Sequence, residues 1–272
     1  MTGSQAKAHA ALLAWYDAMG VDEAIGDAPV DRFAIVPETP SAKAPLARPE
    51  NGPLARPSQP PAAPAPVRPA PDAAPPSPAS LEAAGTLAEL EALVAQFEGC
   101  ALKRTAKSLC FSRGSPDARI MLIGEAPGRD EDIQGKPFVG RAGKLLDRML
   151  ATIGLDESKI YITNTIYWRP PGNRTPTPQE IGACAPFLSR QIELVAPDVL
   201  VLLGGAAAKH ILGVTEGIMR LRGKWKIYKD GDSDIPTLAT LHPAYLLRSP
   251  DAKRYAWRDL LMLKTRLEEP PK

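Results

Sequence analysis

Five side chains able to act on a flat polar ligand sit at or near the ends of short apolar runs. Glu125 lies in Gly124-Glu125-Ala126-Pro127-Gly128 after Ile120–Ile123, Asn164 follows Ile160–Thr163, and His242 follows Thr237–Leu241. Glu131 stands in the acidic run Asp130-Glu131-Asp132, and Phe138 lies among glycines in the stretch from Gln134 to Gly143. A carboxylate supplies a base or a counter-charge. An amide offers a donor and an acceptor, which suits a pyrimidine edge. An imidazole exchanges a proton near neutrality, and a phenyl ring stacks on a planar group. Together they describe a slot sized for a nucleobase.

Each of these residues also has a plainer reading. The acidic run could be a solvated loop, Phe138 a core residue, Asn164 a turn cap, and His242 a satisfied structural histidine. Position argues for the functional reading, because ligands of open parallel α/β sheets bind outside the carboxyl ends of the strands. A fourth polar motif, Gly204-Gly205 after Val199–Leu203, occupies the same kind of place. The glycine turn at 124–128 lacks the Gly-Lys-Ser/Thr of a phosphate-binding loop, and no Gly-x-Ser-x-Gly or His-Glu-x-x-His motif occurs. His9 and His210 fall on expected helices and read as structural or exposed.

The elements that must position these residues alternate regularly from residue 85. Helices are expected near Thr86–Glu98, Ala142–Ile153, Pro178–Val195, Ala206–Leu212 and Ala252–Leu267, and strands at Arg119–Ile123, Ile160–Thr163, Val199–Leu203 and Thr237–Leu241. Short unbroken apolar strands between helices imply a sheet covered on both faces. The fold class is therefore α/β, a three-layer α/β/α sandwich around a central four-stranded parallel sheet. Within Arg220–Tyr228, Arg220, Arg222, Lys224 and Lys226 alternate with other residues, which would place four cations on one strand face. Such a face is either a solvated edge or a phosphate contact.

Composition divides the chain of 272 residues. Residues 28–84 form a Pro/Ala-rich linker, expected to be disordered because it offers little apolar surface to offset ordering entropy. Residues 1–27 read as a short helix carrying Leu12, Leu13, Trp15, Tyr16 and Met19, a possible docking element for a protein partner. Residues 85–268 suffice for one packed domain. Three cysteines without a secretion signal suggest a reducing compartment, and no apolar run approaches a membrane span. A cytoplasmic, nucleoid-associated monomer is expected. The net charge of +2 permits a polyanionic partner without demanding one.

Read together with Gly135-Lys136-Pro137-Phe138-Val139-Gly140, Arg169-Pro170-Pro171-Gly172-Asn173-Arg174 and His242-Pro243-Ala244-Tyr245-Leu246-Leu247-Arg248, the motifs resemble the uracil-DNA glycosylase superfamily. The nearest branch is family 4, the iron–sulfur type, and the resemblance covers about residues 95–267. It implies a monofunctional glycosylase that flips uracil out of single- or double-stranded DNA and hydrolyses its glycosidic bond. The alternative is a non-catalytic nucleic-acid-binding or damage-sensing member of the same fold.

By this resemblance Phe138 stacks on the base, Asn164 reads its N3 and O4 edge, and His242 stabilises charge on O2. Glu131 and Glu125 are the candidates for positioning water and balancing the cationic sugar, with Glu131 preferred. Ala126 stands where the best-known branch has an aspartate, and Gly128 where strict uracil enzymes have a tyrosine, which leaves room for other deaminated bases. Leu246 or Leu247 is the wedge, and Arg248, Arg169 and Arg174 are the phosphate clamps. Family 4 holds a four-iron four-sulfur cluster on four cysteines. Here only Cys100 and Cys184 match; Lys103 and Trp168 replace the others, and Cys110 falls outside the pattern. No cluster, metal or other cofactor is therefore expected. The loop after Asn164 carries no histidine, so no covalent histidine adduct is expected either.

Overall fold

The computed structural model describes residues 78–230 and 233–268. The expected N-terminal helix and most of the linker lie outside them. The linker expected to reach residue 84 instead gives way to a helix over Pro78–Ala83 (α1). Ala84 is buried beyond it, and its carbonyl accepts hydrogen bonds from Arg190 Nε and Nη2 at 3.2 and 2.9 Å. The packed unit thus includes residues that composition alone assigns to the linker.

Leu87–Gln96 (α2) follows, started by a capping box in which Thr86 and Glu89 satisfy each other's backbone amides. The sheet is built from Arg113–Gly114 (β1), Ile120–Gly124 (β2), Ile160–Asn164 (β3), Val199–Leu203 (β4), Trp225–Asp230 (β5) and Ser233–Thr240 (β6), in the order β1-β3-β2-β4-β6-β5. The four inner strands are parallel, as expected from their continuous apolar runs. The two edge strands run antiparallel and enlarge the sheet to six.

The remaining helices are Arg129–Gln134 (α3), Arg141–Ala151 (α4), Pro178–Val195 (α5), Gly205–Leu212 (α6), Ile218–Leu221 (α7), Pro243–Arg248 (α8) and Lys253–Glu268 (α9). Successive strand residues point to opposite faces. Ile120, Leu122, Ile160, Ile162, Val201 and Leu238 pack with Leu146 and Leu150 of α4 and Leu260 and Leu263 of α9. Met121, Ile123, Tyr161, Leu200 and Leu202 pack with Leu188 and Ile192 of α5 and with Leu221. These are the two interfaces of the expected sandwich. No helix among the described residues is long and apolar enough to cross a membrane.

The four-cation strand face is not formed. Arg220 lies on the short helix α7, and the strand begins only at Trp225. The half-buried Arg222 forks onto the buried Asp259, whose carboxylate also accepts from Thr240 Oγ1 at 2.7 Å. Gly223, at a φ of 67°, makes the turn between helix and strand that a period-two pattern cannot reveal.

Candidate active site

The carboxyl ends of β2 and β3 lie side by side, with Gly124 paired to Asn164. Thr165 extends this junction: its amide donates to Gly124 O at 2.9 Å and its hydroxyl to Glu125 O at 2.6 Å. The backbone of Glu125 is thereby fixed where the chain leaves the sheet. His242 follows β6 as the cap of α8, and its Nδ1 accepts the Ala244 amide at 3.1 Å. Phe138 comes from the loop before α4 and adopts a φ of 55°, a left-handed conformation that a bulky side chain holds only when packing enforces it. Gly143 leaves room for this backbone, since a Cβ there would lie 1.7 Å from the Phe138 carbonyl oxygen.

These residues surround one cavity of about 440 Å³. Glu125, Ala126, Gly128, Glu131, Phe138, Asn164, Arg174, His242 and Arg248 all line it. The Phe138 and His242 ring centroids are 5.6 Å apart with the planes inclined at 31°. A Cβ on Gly124 would lie 2.4 Å from Asn164 Oδ1 and 2.6 Å from the Phe138 ring, so both side chains crowd the same glycine. The phenyl ring, the carboxamide and the imidazole therefore meet on one rim. Gly204-Gly205 does not line the cavity; Gly204, at a φ of 97°, makes room behind His242 instead.

Asn164 is the most unusual of these residues. It is 1% exposed, and neither Oδ1 nor Nδ2 has a hydrogen-bond partner among the described residues. A buried unpaired amide costs free energy unless a ligand completes it. His242 is neutral, since burial first and the Arg248 charge second push its pKa down to about 4. Because Nδ1 accepts a hydrogen, the ring's own hydrogen sits on Nε2. Burial raises the Glu125 carboxyl above its ordinary range.

Glu131 is held differently. Its carboxylate accepts amide hydrogens from Gly128, Val139 and Gly140 at 3.1, 3.1 and 2.9 Å. It ties the glycine turn to the segment carrying Phe138. A Cβ on Gly128 would lie 2.7 Å from Glu131 Oε2, so the missing side chain keeps that tie. The helix α3 over the acidic run also buries Asp132, which accepts from the Lys107 amide at 2.7 Å.

The expected DNA contacts divide. Leu246 is fully buried with Leu145, Leu241, Ala252 and Ala256, which removes it as a wedge. Leu247 packs partly against the same cluster. Tyr245, one residue earlier and given no role by the sequence motifs, is 39% exposed at the cavity lip. Arg248 is exposed and has no carboxylate partner among the described residues. Arg174 lines the cavity but forks onto Glu180 at 2.9 and 2.6 Å. Arg169 is absent from the lining and donates to Asn173 Oδ1 at 2.7 Å.

Replacing Gly124 with alanine is expected to close the site by displacing Asn164 or Phe138. Misplacement of about 1 Å costs roughly a hundredfold in rate. Single-turnover excision from a uracil oligonucleotide measures it, and a wild-type rate would count against the shared rim.

The family model described as Uracil DNA glycosylase superfamily matches residues 111–261. A type-4 uracil-DNA glycosylase of Archaeoglobus fulgidus is 42% identical over 57% of this chain and 79% of its own length. The type-4 enzyme of Thermotoga maritima is 40% identical over 63% of this chain and 90% of its own. That of Sulfurisphaera tokodaii is 36% identical over 66% and 84%.

The residues present do not fit the cluster that the type-4 resemblance implies. Cys100 and Cys184 are buried neighbours that share a thiol hydrogen bond, which lowers the Cys100 pKa and raises that of Cys184. Lys103 turns away to the Ala95 carbonyl at 2.7 Å, and Trp168 packs in the same apolar cluster as the two thiols. Cys110 donates to Glu131 O at 3.1 Å, with its thiol pushed up to about 12 by burial. Two thiols cannot replace four thiolate ligands. With its inner parallel strands and the motifs at their carboxyl ends, the chain belongs to the uracil-DNA glycosylase superfamily.

Proposed function

We propose that this protein excises uracil from DNA by hydrolysis of the N-glycosidic bond, acting on a nucleotide flipped into the cavity. The observation that carries this reading is the buried amide of Asn164 beside the Phe138 ring, without a hydrogen-bond partner among the described residues. A uracil stacked on Phe138 offers N3–H to Oδ1 and O4 to Nδ2, completing both atoms. The same amide refuses cytosine, whose N3 and N4 present the opposite pattern. Extrusion costs a few kcal/mol, recovered from such contacts.

Bond cleavage leaves negative charge on uracil and positive charge on the sugar. Nε2–H of the neutral His242 stabilises the first at O2. Preorganised donors of this kind supply much of the rate in a site shielded from water. Glu125 faces the second charge and orients the attacking water. Its raised pKa makes it a stronger base than an exposed carboxylate. Glu131 is a positioning residue, because its oxygens already hold three amides.

On DNA, Arg248 contacts the backbone at the cavity lip. Tyr245, in place of Leu246, enters the space the nucleotide leaves. Tyr245→Ala is expected to slow excision from duplex about tenfold or more while sparing single strands, which need no unstacking of a paired base. Equal losses on both substrates would remove Tyr245 from that role. The function itself is tested by incubating a uracil-containing oligonucleotide with the protein and looking for alkali-labile breaks and free uracil. Intact oligonucleotide would reject it.

A further inference from the structure

A second concavity lies between α4 and α9, on the other side of α8 from the cavity. Leu145, Met149, Leu246 and Leu260 are among its lining, and it encloses about 510 Å³. Arg148, Lys253 and Arg254 also line it, with no acidic residue among them. None of the three has a carboxylate partner among the described residues. Arg254 lies 4.8 Å above the Tyr255 ring and donates to Tyr255 Oη at 3.1 Å, which holds its charge in place without neutralising it. Trp257 completes the wall with 43% of its surface exposed.

An apolar hollow bordered only by cations, with a half-exposed indole, is complementary to an unpaired nucleotide. Aromatic faces stack any base, and cations track the phosphates. An apolar peptide would need no such charge. Continuity with the cavity supports the same occupant, because α8 serves both. Its buried Leu246 lies beneath the groove floor, while Tyr245 and Arg248 line the cavity.

We propose that this groove is a second nucleic-acid subsite, taking an unpaired nucleotide of the strand that flanks the extruded one. Trp257 stacks on its base, and Lys253, Arg254 and Arg148 contact its phosphates. The subsite rests on the cavity being the nucleotide site, and it gives the protein a built-in affinity for single-stranded DNA beyond the target.

The test compares a uracil-containing single strand of about 16 nucleotides with one of about four, in the range where channel-type sites saturate. Trp257→Leu is expected to weaken binding of the long strand on the order of tenfold. Excision from the short strand should keep its rate. Lys253→Ala with Arg254→Ala, both exposed, should leave about two phosphates no longer neutralised. On a single strand that reduces the slope of log affinity against log salt by about 1.4. Unchanged long-strand affinity and salt slope in both variants would overturn the proposal and leave the groove to an apolar protein segment. Should the wild type excise uracil from neither strand, the cavity reading fails. The groove is then still judged by whether the long strand binds through Trp257.

Discussion

Asn164→Ala is expected to make the protein more stable and nearly inactive at once. Both polar atoms of this side chain are buried and have no hydrogen-bond partner among the described residues. Such groups cost about 1–3 kcal/mol, and alanine removes that cost, less the packing that the longer side chain provides. In the complex the same atoms complete the uracil edge. Losing them leaves the base's N3–H and O4 without partners, and a site built on hydrogen bonds then discriminates by roughly 10⁴. Urea midpoints and single-turnover rates measure the two effects together. A variant that is both less stable and fully active would show that the amide has a structural partner and no ligand.

The second large effect separates the two acids, which both line the cavity, although of the two only the Glu131 carboxylate accepts backbone amides. Glu125→Gln is expected to lower excision by about 10²–10⁴, the range for a positioned general base, and to leave the fold intact or slightly steadier. Because burial raises the folded carboxyl, the folded protein holds that proton at pH values where the unfolded chain has lost it. Ionised Glu125 therefore costs stability above its folded pKa, and glutamine removes the cost. The acid limb of the rate profile should accordingly lie above the range of an exposed glutamate. Glu131→Gln should lower activity and melting temperature together. Its amide group would point a donor at donors already occupying the site, and charge-assisted bonds of this kind contribute about 1.5–3 kcal/mol each. Rate alone would confuse the two variants; thermal unfolding distinguishes them.

The inner sheet is legible in the sequence because Ile120–Gly124, Ile160–Asn164 and Val199–Leu203 are buried on both faces and read as nearly unbroken apolar runs. Helix α5 is equally plain, since Pro178 and the Thr177–Glu180 capping box mark its start. Edge strand β1 is not, because two residues carry no period. The cation alternation at 220–226 misleads for a different reason: one of its members is satisfied by Asp259, distant in sequence and adjacent only through the fold.

At the site, residue types locate Phe138, Asn164 and His242. The division of labour between Glu125 and Glu131 depends on which oxygens meet backbone amides, and that is a tertiary fact. Tyr245 takes the exposed place expected of Leu246 because the short helix α8 turns the leucine into the core beside Leu145 and Ala256. A short motif at a strand end does not reveal which of its faces is wet.

Free uracil and its N3-methyl derivative differ at the one atom Asn164 Oδ1 is positioned to accept. Titrating each into the protein while following the Asn164 side-chain amide resonances by nitrogen-edited NMR reads that contact directly. Uracil should shift those resonances and bind, and the N3-methyl compound should do neither. Equal binding of the two, with the Asn164 signals unmoved, would contradict recognition of the pyrimidine edge at this rim.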